Sequence, residues 1–217
     1  MDVSNPLRSI APTVDADVLR VLVRSHAPLT GMKVAELAGR SYAQVRSVLR
    51  RMVGDGLVDV EQHGQAYSYR WNRDHLIADA VEAIARAAEG VENRLADEAA
   101  GWDPAPHAVV VFGSFARRDG GSESDLDLLL VRTDEVAEDD ERWSRQRHEL
   151  AHDVERWTGN RAQILDLSAT ELIAAVERNE DLMRSLRRDG RVLHGPTIKD
   201  LVGSGGLGRD SAEGGTH

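Results

Sequence analysis

The sequence contains no cysteine, which removes disulfides, thiolate zinc sites and thiol nucleophiles together. No run of about 18 apolar residues occurs, so no transmembrane helix is expected and no membrane is counted among the partners. The opening residues, MDVSNPLRSIAPTV, lack the basic-then-apolar layout of a signal peptide. The address expected from these absences is the cytoplasm. What is present is ordinary for a folded chain: 217 residues, 41% of them hydrophobic. That length suits one large domain or two modest ones, at roughly 100–150 residues each.

The net charge of −10 is unevenly spread. Residues 1–75 carry 10 basic against 8 acidic side chains, whereas the remainder carries 17 against 29. An acidic chain is a poor ligand for polyanions. Its slightly basic first third therefore has to be read separately.

After an N-terminal arm, residues 1–14, Val18, Leu19, Leu22 and Val23 recur at helical spacing. A short helix follows around Val34 to Leu37, with Gly39 at its expected stop. Ser41 is placed to cap a third helix, in which Val45, Val48, Leu49 and Met52 form the apolar stripe. Outside that stripe lie Tyr42, Gln44, Arg46, Ser47, Arg50 and Arg51. LVDVEQHGQAYSYRW then alternates over two short strands with His63-Gly64-Gln65 at the tip, a hairpin signal.

Three helices and a hairpin over residues 15–73 resemble the winged helix-turn-helix of bacterial transcriptional regulators. The resemblance implies a third helix in the major groove of double-stranded DNA, flanked by the wing. Tyr42, Gln44, Arg46 and Ser47 would then face bases or phosphates, and Arg50 and Arg51 phosphates. The alternative is a winged helix that contacts protein, its arginines merely solvated. Residues 74–104 read as one long linker helix with a break at Gly90, packing on the domains or on a second copy of the chain.

The most informative stretch is VVVFGSFARRDGGSESDLDLLLV, residues 109–131. A buried strand ends in Gly113-Ser114, a turn that lets backbone approach a ligand closely. The amides that follow open a short helix, a position suited to phosphate. After a flexible loop, a second strand carries Asp125 and Asp127 on one side, roughly 6–7 Å apart along the chain. Leu126 points the other way. Two carboxylates beside a phosphate-binding turn suit a divalent cation such as Mg²⁺. Asp-x-Asp alone is common at strand edges and in loops; its pairing with the Gly-Ser turn makes it specific.

Gly113-Ser114, Ala116-Arg117 and Ser124-Asp125-Leu126-Asp127-Leu128 resemble the signature of the DNA polymerase beta-type nucleotidyltransferases, above all the minimal nucleotidyltransferases of bacteria. By that resemblance residues 105–196 form a small nucleotidyltransferase-fold α/β domain with a mixed sheet, and the whole chain is of α+β class. Gly113, Ser114 and Ser124 would bind the triphosphate, Asp125 and Asp127 would hold Mg²⁺, and Arg117 would support the catalytic site electrostatically. Arg117 could equally pair structurally with Asp125.

Further along, Trp143, Arg147, Leu150, Val154 and Trp157 form the core-facing stripe of a helix. His148 and His152 lack further ligands in sequence and read as surface or packing residues. RAQILDLS supplies a third strand, Ser168 to Glu171 a capping box, and GRVLHG the end of the ordered part, with residues 203–217 a disordered tail. Catalytic relatives carry a third carboxylate on this strand. The family pattern puts Gln163 there, while Asp166 falls on the opposite face.

The resemblance implies transfer of a nucleotidyl group, AMP from ATP with Mg²⁺, to a hydroxyl on a protein, RNA or small molecule. Two alternatives stand beside it. One is a winged-helix transcriptional regulator whose degenerate transferase domain senses nucleotide; the other is an antitoxin partner of a helical HEPN toxin. Expected partners are a nucleoside triphosphate, double-stranded DNA, a HEPN-type protein and a second copy of the chain.

Overall fold

In the computed structural model, which describes residues 1–178 and 180–203, the chain divides into two units at Glu89/Gly90. The first opens with a single 3-10 turn, Pro6–Ser9, whose Leu7 is buried in the unit's core. Helices α1 (Val14–Arg24), α2 (Gly31–Ala38) and α3 (Tyr42–Gly54) follow. Strands β1 (Leu29–Thr30), β2 (Val58–His63) and β3 (Ala66–Trp71) form an antiparallel sheet in the order β1-β3-β2. The two residues of the short β1 pair with Tyr69 and Ser68. Val18, Leu22, Val34, Val45, Leu49, Met52 and Trp71 make the core.

Local chemistry fixes these helix ends. The Thr30 hydroxyl accepts from the Lys33 amide to cap α2, and Gly39 ends it in the left-handed region at φ 63°. Ser41 and Gln44 form a reciprocal capping box at the start of α3. His63 pairs with Ala66, so Gly64 and Gln65 alone make the wing tip. A buried carboxylate ties α1 to its surroundings: Asp17 accepts from Asn5 Nδ2 at 3.0 Å, Arg8 Nε at 2.9 Å and Arg40 Nε at 2.7 Å.

The expected long linker helix is two helices, α4 (Ala78–Ala85) and α5 (Ala87–Ala100). Its break falls at Arg86, with φ −99° and ψ 10°, and Gly90 lies inside α5. A glycine in a helix interior costs only about 1 kcal/mol against alanine, so it need not end the helix. Ala78 and Ala85 are buried in the first core.

The second unit is built on a mixed four-stranded sheet in the order β6-β5-β4-β7. These strands are β4 (Ala108–Phe112), β5 (Leu126–Arg132), β6 (Ala162–Ser168) and β7 (Arg191–His194). β4 is antiparallel to both β5 and β7, and β5 is parallel to β6. Between β4 and β5 lies the five-residue helix α6 (Gly113–Arg117). Helix α7 (Glu141–Thr158) connects β5 to β6. Helices α8 (Ala169–Arg178), α9 (Glu180–Asp189) and α10 (Ile198–Gly203) complete the unit.

Alternation sorts the sheet's residues into two faces. Ala108, Val110, Leu129 and Val131 pack with Leu172, Leu186 and Leu201 from α8, α9 and α10. The opposite face meets α7, whose Trp143, Leu150 and Val154 are buried. The capping box at Ser168 and Glu171 forms: the Ser168 amide donates to Glu171 Oε2 at 2.7 Å, and the Glu171 amide to Ser168 Oγ at 3.2 Å. His148 and His152 are exposed. Order does not stop at GRVLHG, whose Arg191–His194 forms an edge strand; α10 follows and places Leu201 in the core. Residues 204–217, the rest of the expected tail, lie outside the described residues.

Candidate functional site

β4 delivers its chain to Gly113 at φ 67°, a region L-residues with a Cβ avoid at a cost of roughly 1–2 kcal/mol. Space is as restrictive as conformation here. A Cβ on Gly113 would run into the carboxylate of Asp127. Ser114 stands one residue on, and its hydroxyl lies within 3.0 Å of where a Cβ on Gly120 would be, with Ser124 Cβ at 3.3 Å from that point. The turn after β4 and the loop before β5 thus close on one another across two glycines.

Asp127 is the second residue of β5 and pairs with Phe112 on one side and Gln163 on the other. Cross-strand partners share a face, so Gln163 stands beside Asp127 at the ends of β4, β5 and β6. Asp125 precedes the strand and is exposed, while Asp127 is half-buried. Burial raises the Asp127 carboxyl above its ordinary acidity range; the nearby Asp125 charge adds to this, and Arg117 partly offsets it. Neither aspartate hydrogen-bonds or ion-pairs among the described residues. Nor is any group of three or more His, Asp or Glu there arranged to hold a metal ion.

Arg117 is not a partner of Asp125. Its Nε donates to Asp119 at 2.9 Å and its Nη1 to Asp189 at 2.7 Å. Asp189, with its side chain 3% exposed, also accepts from Arg188 Nη2 at 2.7 Å. The Arg188 hydrogen bond is the largest cause of an acidity that brings Asp189 down to about 2. Ser124 is similarly occupied, its Oγ accepting from the Gly121 amide at 3.0 Å.

Asp166 pairs with Leu130, one face away from Gln163. Its carboxylate accepts from Arg132 Nη1 at 3.2 Å, Trp143 Nε1 at 2.9 Å and Arg147 Nη1 at 2.8 Å. The Arg147 of the expected apolar stripe therefore serves an ion pair. Asp166 is a structural anion beneath α7, and the residue beside Asp127 is an amide.

Two contributors went unread in the sequence. Asn160, buried after α7, directs its Nδ2 at the carbonyls of Gly121, Ser122 and Ser124, the last at 2.8 Å. It fixes the loop that delivers Asp125. Asp189, 72 residues from Arg117, holds that guanidinium by the site. An Asn directly after a helix-ending Gly and an Asp in a basic helix end carry no local signal for either role.

On the first unit, Tyr42, Gln44, Arg46, Ser47, Arg50 and Arg51 are all exposed on α3. They are not equally available. Gln44 Oε1 is engaged by the Ser41 amide and hydroxyl. Arg51 pairs with Asp15 of α1 and, at 3.4 Å, with Asp55. Arg46 and Arg50 have no ion-pair or hydrogen-bond partner among the described residues.

A three-helix unit with a hairpin wing, followed by a strand-turn-helix-strand unit bearing paired aspartates, defines a winged-helix protein with a nucleotidyltransferase fold. Residues 13–72 match the family model of the sugar-specific transcriptional regulator TrmB, and residues 98–189 that of the polymerase beta nucleotidyltransferase. The chain thus carries a TrmB-type winged-helix domain and a polymerase beta-type nucleotidyltransferase domain. No curated protein matches it. Among solved structures, a toxin–antitoxin complex with AMP-PNP is 17% identical and covers 52% of this chain and 82% of its own, at a TM-score of 0.37. A nucleotidyltransferase from Sulfolobus solfataricus, so described provisionally, is 20% identical over 49% of this chain and 85% of its own, at 0.25. Human N-acetylserotonin methyltransferase with SAM is 20% identical over 43% and 31%, at 0.27. All three superpose loosely. No helix among the described residues is long and apolar enough to cross a membrane.

Proposed function

We propose that the second unit binds a nucleoside triphosphate with Mg²⁺ and transfers a nucleotidyl group, AMP from ATP with release of pyrophosphate, to a hydroxyl of a protein, RNA or small molecule, while the first unit binds double-stranded DNA. One observation carries the reading: the Asp127 carboxylate lies against a turn whose glycine leaves no room for a side chain, the Asp125 charge acts on it, and neither carboxylate has a hydrogen-bond or ion-pair partner among the described residues. Hard oxygen donors of this kind fit Mg²⁺, which typically takes one or two carboxylates and completes its shell with phosphate oxygens and water. Asp125 and Asp127 would hold it. Bound there, it supplies charge neutralisation on the phosphates.

The chain's own residues supply position and charge. Ser114 and the amides after Gly113 offer hydrogen bonds to phosphate oxygens. Arg117, clamped between Asp119 and Asp189, keeps a fixed positive charge within electrostatic reach of Asp127. A preset charge costs no reorganisation during reaction. Gln163 cannot accept the proton of an attacking hydroxyl as a base, so transfer by this site is slow.

A second reading is favoured by Gln163 and by the burial of Asp166 away from the site. There the transferase domain senses nucleotide without turning it over and regulates the winged helix. The resemblance to minimal nucleotidyltransferases also puts a HEPN-type protein forward as partner. A thermal-shift titration tests the nucleotide site. ATP with Mg²⁺ should raise the melting temperature by mass action, and replacing both aspartates (Asp125→Asn with Asp127→Asn) should remove the Mg²⁺-dependent part. No Mg²⁺-dependent effect of any nucleoside triphosphate would refute the site.

A further inference from the structure

The chain has only three tyrosines among 217 residues, and all three line one cleft between α3 and the wing. Tyr42 comes from the first turn of α3, Tyr67 and Tyr69 from β3, and Arg46, Arg50 and Gln65 complete the polar lining of a cavity of about 450 Å³. That volume lies within the ~300–1,000 Å³ of pockets that hold small organic ligands. The tyrosines 67 and 69 share a strand face by alternation, and Arg46 and Arg50 lie one helical turn apart on α3. None of the lining residues is acidic, in a protein whose net charge is −10.

Four of these groups act on the fifth. Burial raises the Tyr69 phenol above its ordinary range, Tyr42 and Tyr67 add to this, and the Arg46 and Arg50 charges oppose it. The two guanidiniums have no partner among the described residues, so they offer two positive charges to an anion. Tyr42 and Tyr67 are 45% and 48% exposed, leaving ring surface open for stacking. A DNA duplex offers phosphates to the arginines, but its base faces are already stacked on one another and give the rings no planar partner. An unstacked aromatic ring does.

We propose that this cleft is a binding site for a planar aromatic anion of mononucleotide size, its ring stacked on the tyrosines and its anionic group held by Arg46 and Arg50. Nothing in this assignment depends on catalysis in the second unit. Its consequence for DNA rests on the proposed duplex binding: the same two arginines cannot serve ligand and duplex at once, so each lowers affinity for the other, reciprocally.

The test uses the full chain in equilibrium dialysis against radiolabelled AMP with EDTA present, which withholds the metal needed at the aspartate site. The wild type should bind AMP, and ribose 5-phosphate, which lacks the ring, should bind at least tenfold more weakly. Tyr67→Leu should weaken AMP by about tenfold or more, the scale of one lost base–aromatic stack. Tyr67→Trp should retain it, and Arg46→Gln with Arg50→Gln should weaken it at least tenfold. The double change Asp125→Asn, Asp127→Asn should leave it intact. The cleft assignment is overturned by absence of AMP binding up to millimolar levels. Equally fatal are binding indifferent to Tyr67 and both arginines, and binding lost only with the two aspartates. Saturating AMP should also displace a labelled duplex, and a duplex that stays bound overturns the coupling. If no duplex binds while AMP does, the DNA reading falls and the cleft assignment stands.

Discussion

Exchanging the roles of Gln163 and Asp166 is the sharpest perturbation of the second unit. The Asp166 side chain is 5% exposed, as is that of Arg132. Breaking a buried ion pair by removing one charge costs about 3–5 kcal/mol. Arg132 keeps Glu171 at 2.9 Å and the Val136 carbonyl at 3.2 Å, which places Asp166→Asn near the lower end, about 3 kcal/mol. In a unit of this size that corresponds to a fall of about 10 °C in melting temperature. Nucleotide binding should persist wherever the variant is folded, because the carboxylate faces α7 rather than Asp127.

Gln163→Asp should do the opposite. The position is exposed, so the fold tolerates the change. A third carboxylate joins Asp125 and Asp127, where burial first and the Asp125 charge second already raise the Asp127 carboxyl. The variant should therefore be less stable than wild type in EDTA and gain more from Mg²⁺ with ATP. A positioned base typically contributes 10²–10⁴-fold, so any AMP transfer should accelerate toward that range. Differential scanning fluorimetry with and without Mg²⁺ and ATP reads the first effect, and intact-mass analysis of candidate acceptors the second. Asp166→Asn with a wild-type melting temperature but no Mg²⁺-dependent nucleotide binding would refute the strand register. Nucleotide binding without transfer in all three proteins would favour the sensor.

Arg46→Gln and Arg50→Gln should weaken duplex binding across sequences and each flatten its salt dependence by about one unit in log–log slope. Arg51→Gln should do less, its guanidinium being committed to Asp15 and Asp55; equal slopes for all three in gel shifts would show that these pairs do not hold. The acid limb of stability offers an independent check on the Arg117 clamp. Asp189 is held at about 2 against an ordinary 3.8, a depressed folded value, so its contribution is complete above 3.8 and is lost as pH falls through about 2. Asp189→Asn should lower stability at neutral pH and flatten its decline between those values. Urea unfolding across that window measures it, and parallel curves for the two proteins would count against the clamp.

What the sequence disclosed and what it withheld divide along a physical line. Ser41 with Gln44, Gly39, the wing tip and the Gly-Ser turn are local: each is set by a few neighbouring residues whose caps or φ angles leave small choice. Strand alternation likewise put Gln163 and Asp166 on opposite faces, as the pairing of β5 with β6 shows. The break at Arg86 was misplaced because glycine propensity is a weak term beside packing on a core. β1 and β7, with two and four residues, are strands only by virtue of their neighbours β3 and β4. They have no pattern long enough to announce themselves.

The same line runs through the candidate site. Residue types and spacing marked Gly113, Ser114, Asp125 and Asp127, since the turn and the strand bring them together over a short stretch of chain. The supports came from far away: Asp189 on Arg117, and Asn160 on the loop that carries Ser124 into Asp125. Their functions exist only once the sheet has closed, because a clamp is a relation between elements and not a property of either. Arginine assignments fail for a related reason. Arg46, Arg50 and Arg51 look alike on one helix, yet Asp15 of α1 removes one from the free set. The two that remain face tyrosines brought by the wing. A sequence can state which charges a helix carries, but which of them are already satisfied is decided by the elements that fold against it.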